Sequence, residues 1–177
     1  MIIKNFKSLA ITQTRRHALE IVNAGIEAVL PSVSMAREIK LNNNTLKIQN
    51  HKWNLSKYKR IIVVGAGKAS SEMALSLEKI LKNRITQGLV IDTRHVTLKK
   101  IKVVKGTHPL PSQVNVDSTN KIISMLEDCG KEDLVICLIS GGGSALLVCP
   151  RIDLKEQIEV SKMLLKRGAT IQEINTV

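Results

Sequence analysis

Four unbroken apolar runs, separated by stretches of helical periodicity, constrain this chain more than any other feature of its sequence. They are Ile61-Ile62-Val63-Val64, Leu89-Val90-Ile91, Ile101 to Val104 and Leu134 to Ile139. A half-buried strand alternates apolar and polar residues, whereas a run that is apolar at every position fits a strand covered on both faces. Between the first two runs, Ala69, Met73, Leu77, Ile80 and Leu81 form one helical stripe; Ile122, Ile123, Leu126 and Cys129 form another before the fourth. Strand, helix, strand, repeated, predicts an α/β fold with a mostly parallel sheet.

With 177 residues the chain has the length of one domain, and 44% hydrophobic residues are enough to build a core. Residues 1–177 therefore read as a single domain with a helical N-terminal leader over 1–59. Within the leader, Ala18, Val22, Ile26, Val29 and Leu30 recur at helical spacing from Thr14 until Pro31 closes the segment. A short helix around Ser34 to Ile39, a turn at Asn42 to Asn44 and a strand over Thr45 to Ile48 are expected to follow. At the other end, Asp153 and Glu156 have the form of a capping box for a helix that Gly168 terminates. The closing ATIQEINTV reads as the opening turn of one more helix, so the domain reads as incomplete.

A formal net charge of +12 raises the question of nucleic acid. The excess is uneven: residues 1–60 hold 11 Lys/Arg against 3 Asp/Glu, and the remainder 16 against 12. Only Phe6, Trp53 and Tyr58 could stack on bases, and all three lie outside the motif-bearing part. The charge therefore reads as a solvated basic face, with no nucleic-acid partner. The apolar run from Leu134 to Ile139 is far shorter than the ~20 residues of a membrane span, and Lys4 and Lys7 interrupt any signal-like N-terminus. A cytoplasmic location without a membrane partner is expected. Cys129, Cys137 and Cys149 have no CxxC spacing and read as reduced small hydrophobes in or near the core, and no metal-ligand set is expected.

Two of the apolar runs empty into glycine loops. Ile61 to Val64 continues as Gly65-Ala66-Gly67-Lys68-Ala69-Ser70, where glycines admit close backbone approach and a helix start favours an anion. Lys68, read as lying in the first helical turn, opposes the helix dipole by roughly 0.3 to 1 kcal/mol, a penalty that a bound phosphate or carboxylate offsets. Leu138-Ile139 continues as Ser140-Gly141-Gly142-Gly143-Ser144, whose consecutive glycines suit a cradle of N–H groups with serine hydroxyls beside it. A third segment, Gly106-Thr107-His108-Pro109-Leu110-Pro111, has two prolines that stiffen a turn presenting His108. Ligands of open α/β sheets bind beyond the carboxyl ends of the strands, where all three segments are expected. None is a Walker A sequence, which needs GxxxxGK[ST].

Taken in order, GAGKAS, THPLPS, LISGGGSALL and RGATIQEIN resemble the N-terminal domain of the glycerate 2-kinase family, the MOFRL-type glycerate kinases, over about residues 14–177. The resemblance implies a three-layer α/β/α sandwich with a Rossmann-like sheet. It also implies an ATP- and Mg-dependent phosphotransferase acting on the 2-hydroxyl of D-glycerate. On this resemblance the family's lysine is Lys68, holding a transferring phosphate or the glycerate carboxylate. Its nucleotide-phosphate loop is Ser140, Gly141, Gly142, Gly143 and Ser144. Gly65, Gly67, His108 and Asn175 fall on motif positions facing the substrate cleft. The family continues past EIN into a further stretch with a catalytic aspartate and a second domain, none of which this sequence contains.

Two other readings stay open. One is a non-catalytic nucleotide-binding chain that needs a second chain. The other is a dinucleotide-dependent oxidoreductase, in which Gly65-Ala66-Gly67 stands for the fingerprint and Asp92 for the ribose-binding acid, although Ser70 replaces the third glycine.

Overall fold

The computed structural model describes residues 1–174 and 176. Its contacts divide into two compact units, Met1–Ser56 and Lys57–Val177. In the first unit, α1 (Phe6–Leu9) and α2 (Gln13–Ala28) precede α3 (Pro31–Glu38). Thr12 caps α2 by accepting from the Arg15 N–H, and Pro31 opens α3, where its missing N–H has no intrahelical partner to lose. An antiparallel meander follows, of β1 (Ile39–Asn42), β2 (Thr45–Ile48) and β3 (His51–Asn54), aligning Leu41, buried Leu46 and Trp53 across the three strands. The strand over Thr45 to Ile48 is where its sequence places it; its two neighbours, each four residues long, are not among the expected elements.

The second unit runs β4 (Arg60–Ala66), α4 (Ser70–Leu81), β5 (Gln87–Asp92), β6 (Ile101–Lys105), α5 (Gln113–Glu127), β7 (Asp133–Ile139), α6 (Gly143–Leu146), α7 (Leu154–Lys166) and α8 (Ile171–Ile174). Among the described residues its sheet has the order β6-β5-β4-β7 and is parallel throughout. The chain steps from β4 to β5 and β6 in one direction, then crosses back to β7 on the other side of β4. Right-handed crossovers therefore place α4 and α5 on opposite faces. Ile62, Val64, Ala66, Leu89 and Ile91 pack with Ile122 of α5 and with Leu146 on one face. Ile61, Val63 and Val90, which alternate with them, point to the other face, where Ala74, Leu77 and Leu81 of α4 are buried. This is the α/β/α arrangement that the family resemblance implies.

Two expectations need correction. The run Leu134 to Ile139 predicts a strand covered on both faces, yet β7 pairs only with β4 among the described residues; Leu138 is buried while Ile139 is 61% exposed. An edge strand has one uncovered flank, and the apolar run does not reveal where in the sheet it lies. The cysteines are free: Cys129, half-buried, packs against the core as expected, whereas Cys137 on β7 and Cys149 are exposed. No single helix among the described residues is long and apolar enough to cross a membrane; only α2 and α3 taken together, bent by 58° at their break, have the length and composition.

The adjacent strands β4 and β7 are pinned at their start by a fork. Arg60 Nε donates to Asp133 Oδ1 at 2.9 Å and Nη2 to Oδ2 at 2.7 Å, while the Gly130 N–H donates to the same carboxylate. The Arg60 hydrogen bonds and the Gly130 N–H hold Asp133 down at about 2, against a smaller opposing effect of burial. A carboxylate depressed in the folded state stabilises the fold fully above its ordinary value near 3.8 and loses that contribution as pH falls toward 2. In urea unfolding, the midpoint difference between wild type and Asp133→Asn is expected to be largest above pH 4 and to close by about pH 2. A difference that persists undiminished at pH 2 would refute this assignment.

Candidate functional site

Because β4 and β7 are adjacent and parallel, with Ala66 opposite Ile139, the loops that leave them emerge side by side. The chain order reverses between these strands, and that is where a crevice opens at the carboxyl edge of an α/β sheet. The two loops are stitched together by main-chain and hydroxyl contacts. Lys68 N donates to Gly141 O at 2.9 Å, Ala69 N to Ser140 Oγ at 3.0 Å and Ser140 N to Ala66 O at 3.2 Å.

The glycines explain how the loops come so close. Gly67 has φ +138°, and a Cβ there would overlap Ser140 Oγ and lie 2.6 Å from Ser140 O. Gly65, buried in β4, has the space of its missing Cβ filled by Leu138 of β7. Both positions therefore serve contact between strands and loops; the sequence argument had assigned that space to a ligand. Gly142 has φ +85°, and a methyl group there would sit 3.0 Å from His108 Cδ2, 3.1 Å from Nε2 and 3.3 Å from Lys68 Cε. Lys68, His108 and the triple-glycine loop thus converge on one point, although they come from three separate stretches of sequence.

Lys68 does not lie in the first turn of α4. That helix starts at Ser70, whose hydroxyl donates to both Gly67 O at 2.8 Å and Ile91 O at 2.9 Å and so fixes the entry. The dipole penalty argued from sequence falls off outside the helix, and Lys68 stands in the preceding turn with an exposed side chain. Among the described residues its ammonium has no carboxylate partner. Ser144 is exposed, Ser140 is tied by Ala69, and the Gly141 and Gly142 N–H groups have no protein acceptor among the described residues. Asn175 lies outside the described residues.

Two contributors, Asn115 and Arg94, were missed by the sequence reading, and a third, Asp92, was read there only as a ribose ligand. Asn115, fully buried, accepts from the N–H groups of Thr107 and Ser112 and donates to Thr107 O and Ala145 O, each of these last two at 3.0 Å. It thereby joins the His108 turn to the segment that follows the glycine loop. The Ser112-x-x-Asn115 spacing at the head of α5 was the available signal, since it forms a capping box. Asp92, also fully buried, accepts from Ser71 N at 2.8 Å and Arg94 N at 3.1 Å. Burial raises its pKa, but hydrogen bonding from Ser71 and Arg94 and the Arg94 charge outweigh it, so the net shift is downward. An acid so engaged is not free to hold a ribose, which removes the main support for the dinucleotide reading. Arg94 binds Glu72 and the Lys68 carbonyl.

Chemically, one uncompensated ammonium, an imidazole and unpaired loop N–H groups suit an oxyanion of phosphate or carboxylate size. They do not suit Mg²⁺ by themselves, since that ion takes carboxylate, phosphate and water oxygens. Among the described residues no group of three or more His, Cys, Asp or Glu is arranged to hold a metal.

Comparison with known proteins agrees with the motif-level resemblance. The family described as "Domain of unknown function (DUF4147)" matches residues 17–177. A protein of Agrobacterium vitis named putative hydroxypyruvate reductase is 42% identical over 67% of this chain and 32% of its own length. The glycerate 2-kinase of Picrophilus torridus is 32% identical over 99% of this chain and 41% of its own length. A crystallised protein of Pyrococcus horikoshii superposes with a TM-score of 0.80 at 31% identity, covering 93% of this chain and 38% of that one. The chain thus spans about a third to two-fifths of the length of the relatives it matches. It belongs to the DUF4147 family and, through it, corresponds to the N-terminal part of the glycerate 2-kinase family.

Proposed function

We propose that this chain is the phosphate-binding α/β domain of an ATP-dependent glycerate 2-kinase. The observation that carries the reading is the convergence of Lys68 and His108 on Gly142 at the β4/β7 crevice, in a chain similar over its whole length to a glycerate 2-kinase. The Gly141 to Ser144 segment would receive phosphate oxygens on main-chain N–H groups. Lys68 would neutralise the transferring phosphate or the carboxylate of D-glycerate, and His108 would donate to the same anion. Positioning and charge neutralisation of this kind dominate phosphoryl transfer. Magnesium would arrive on the nucleotide phosphates.

Transfer to the 2-hydroxyl of glycerate also needs an acceptor for the hydroxyl proton. Among the described residues the one buried carboxylate beside the Lys68 turn, Asp92, is engaged by Ser71 and Arg94. The reading is therefore of a chain that binds nucleotide and requires a further domain or a second chain for turnover.

An amide-resolved ¹⁵N NMR titration of the chain with MgATP, and separately with NADH, tests this reading. Shifts centred on Lys68, Ala69 and Gly141 to Ser144 with MgATP are expected. Shifts there with NADH and none with MgATP would return the oxidoreductase reading.

A further inference from the structure

We infer that Arg94 is a positioning residue that fixes the main chain of the Lys68 turn, and hence the direction from which Lys68 meets an anion. The inference rests on the reading that Lys68 is the anion-binding cation. Arg94 follows β5, and its guanidinium reaches three different segments. Nη2 donates to Lys68 O at 2.9 Å, Nη1 to Glu72 Oε1 of α4 at 2.6 Å, and Nε lies 3.7 Å from Asp92 Oδ1. Asp92, with no exposed surface, is in turn held by Ser71 N of α4 and by Arg94's own N–H. The anchor is therefore rigid at its base.

The consequence lies in one peptide plane. The Lys68–Ala69 peptide is held on its carbonyl by Arg94 and on its N–H by Ser140 Oγ, while the preceding peptide is held through Lys68 N by Gly141 O. Three bonds fix the main chain on both sides of the Lys68 side chain, and the Arg94 bond is the one that does not come from the glycine loop. Each of the three Arg94 nitrogens faces a carboxylate or carbonyl oxygen, which sets the guanidinium plane against the Lys68 turn. A planar fork with donors in fixed directions can span these acceptors at once; the point charge of a lysine cannot.

The test uses the full chain, inorganic tripolyphosphate as probe, and the variants Arg94→Met, Arg94→Lys and Lys68→Met, with the double variant Arg94→Met/Lys68→Met. Arg94→Met is expected to speed hydrogen exchange at the Ala69 amide about tenfold or more and to weaken tripolyphosphate about three- to tenfold. Arg94→Lys is expected to recover only part of either loss. In the Lys68→Met background the Arg94 substitution should change affinity no further, since its effect passes through Lys68. Equal losses in both backgrounds would mean that Arg94 acts through its charge alone, and unchanged Ala69 exchange would mean that it does not hold the turn; either result overturns the inference. If the wild-type chain does not bind tripolyphosphate, the phosphate-binding reading fails, while exchange at Ala69 still decides whether Arg94 fixes the turn. Should Arg94→Met not fold, Arg94→Lys carries the same comparison.

Discussion

Alanine at position 67 is expected to lower the melting temperature by about 10 °C and to abolish anion binding. Two independent effects act at this residue. Its φ of +138° is a conformation that side chains rarely adopt, and such strain costs about 1–3 kcal/mol. The added Cβ would also overlap Ser140 Oγ and press within 2.6 Å of the Ser140 carbonyl, where backbone, rather than the free end of a side chain, must give way. Overpacking of that kind costs roughly another 1–3 kcal/mol. For a chain of this size each kcal/mol shifts the melting temperature by about 2–4 °C. The two glycine loops would then separate, and the N–H groups of one would no longer stand beside the lysine of the other. Gly141→Ala is the matched control: no atom lies within 4 Å of the added methyl, and its melting temperature should stay within about 2 °C of wild type. Differential scanning calorimetry of the two variants checks both expectations.

Lys68→Met should do the reverse, sparing the fold and removing the ligand. Its side chain is exposed and has no ion-pair partner among the described residues, so no folded-state contact of the ammonium is lost. A charge-assisted hydrogen bond contributes about 1.5–3 kcal/mol, and 1.4 kcal/mol is tenfold in affinity, so MgATP should bind about 10- to 100-fold more weakly. The loss should shrink as salt is raised, because the ammonium is solvent-facing and therefore screened. A similar loss with a fall in melting temperature would instead mark Lys68 as a structural residue.

Much of this was legible in the sequence because it is local. Four apolar runs gave four strands at the expected places, and a glycine pair or triplet after a strand marked the two loops, since the positive φ at Gly67 and Gly142 favours glycine. What could not be read depends on chain segments meeting in space. Nothing in Leu134 to Ile139 says that β7 lies at an edge, so its exposed face, with Cys137 and Ile139, was misjudged. Asn115 joins Thr107 to Ala145, and its role exists only once α5 has packed beside both of these segments. Asp92 was noticed for the wrong reason: its position at the end of a strand fits a ribose ligand, but its carboxylate belongs to Ser71 and Arg94. The helix start at Ser70, two residues later than the motif suggested, depends on a hydroxyl reaching the neighbouring strand at Ile91.

The most direct measurement is isothermal titration calorimetry of MgATP into the wild-type chain and into Lys68→Met, with NADH titrated in parallel. A phosphate-binding domain of the glycerate 2-kinase family gives MgATP binding that the substitution weakens at least tenfold and no comparable NADH heat. MgATP binding that is indifferent to Lys68, or NADH binding without any MgATP signal, would contradict the assignment of the β4/β7 crevice.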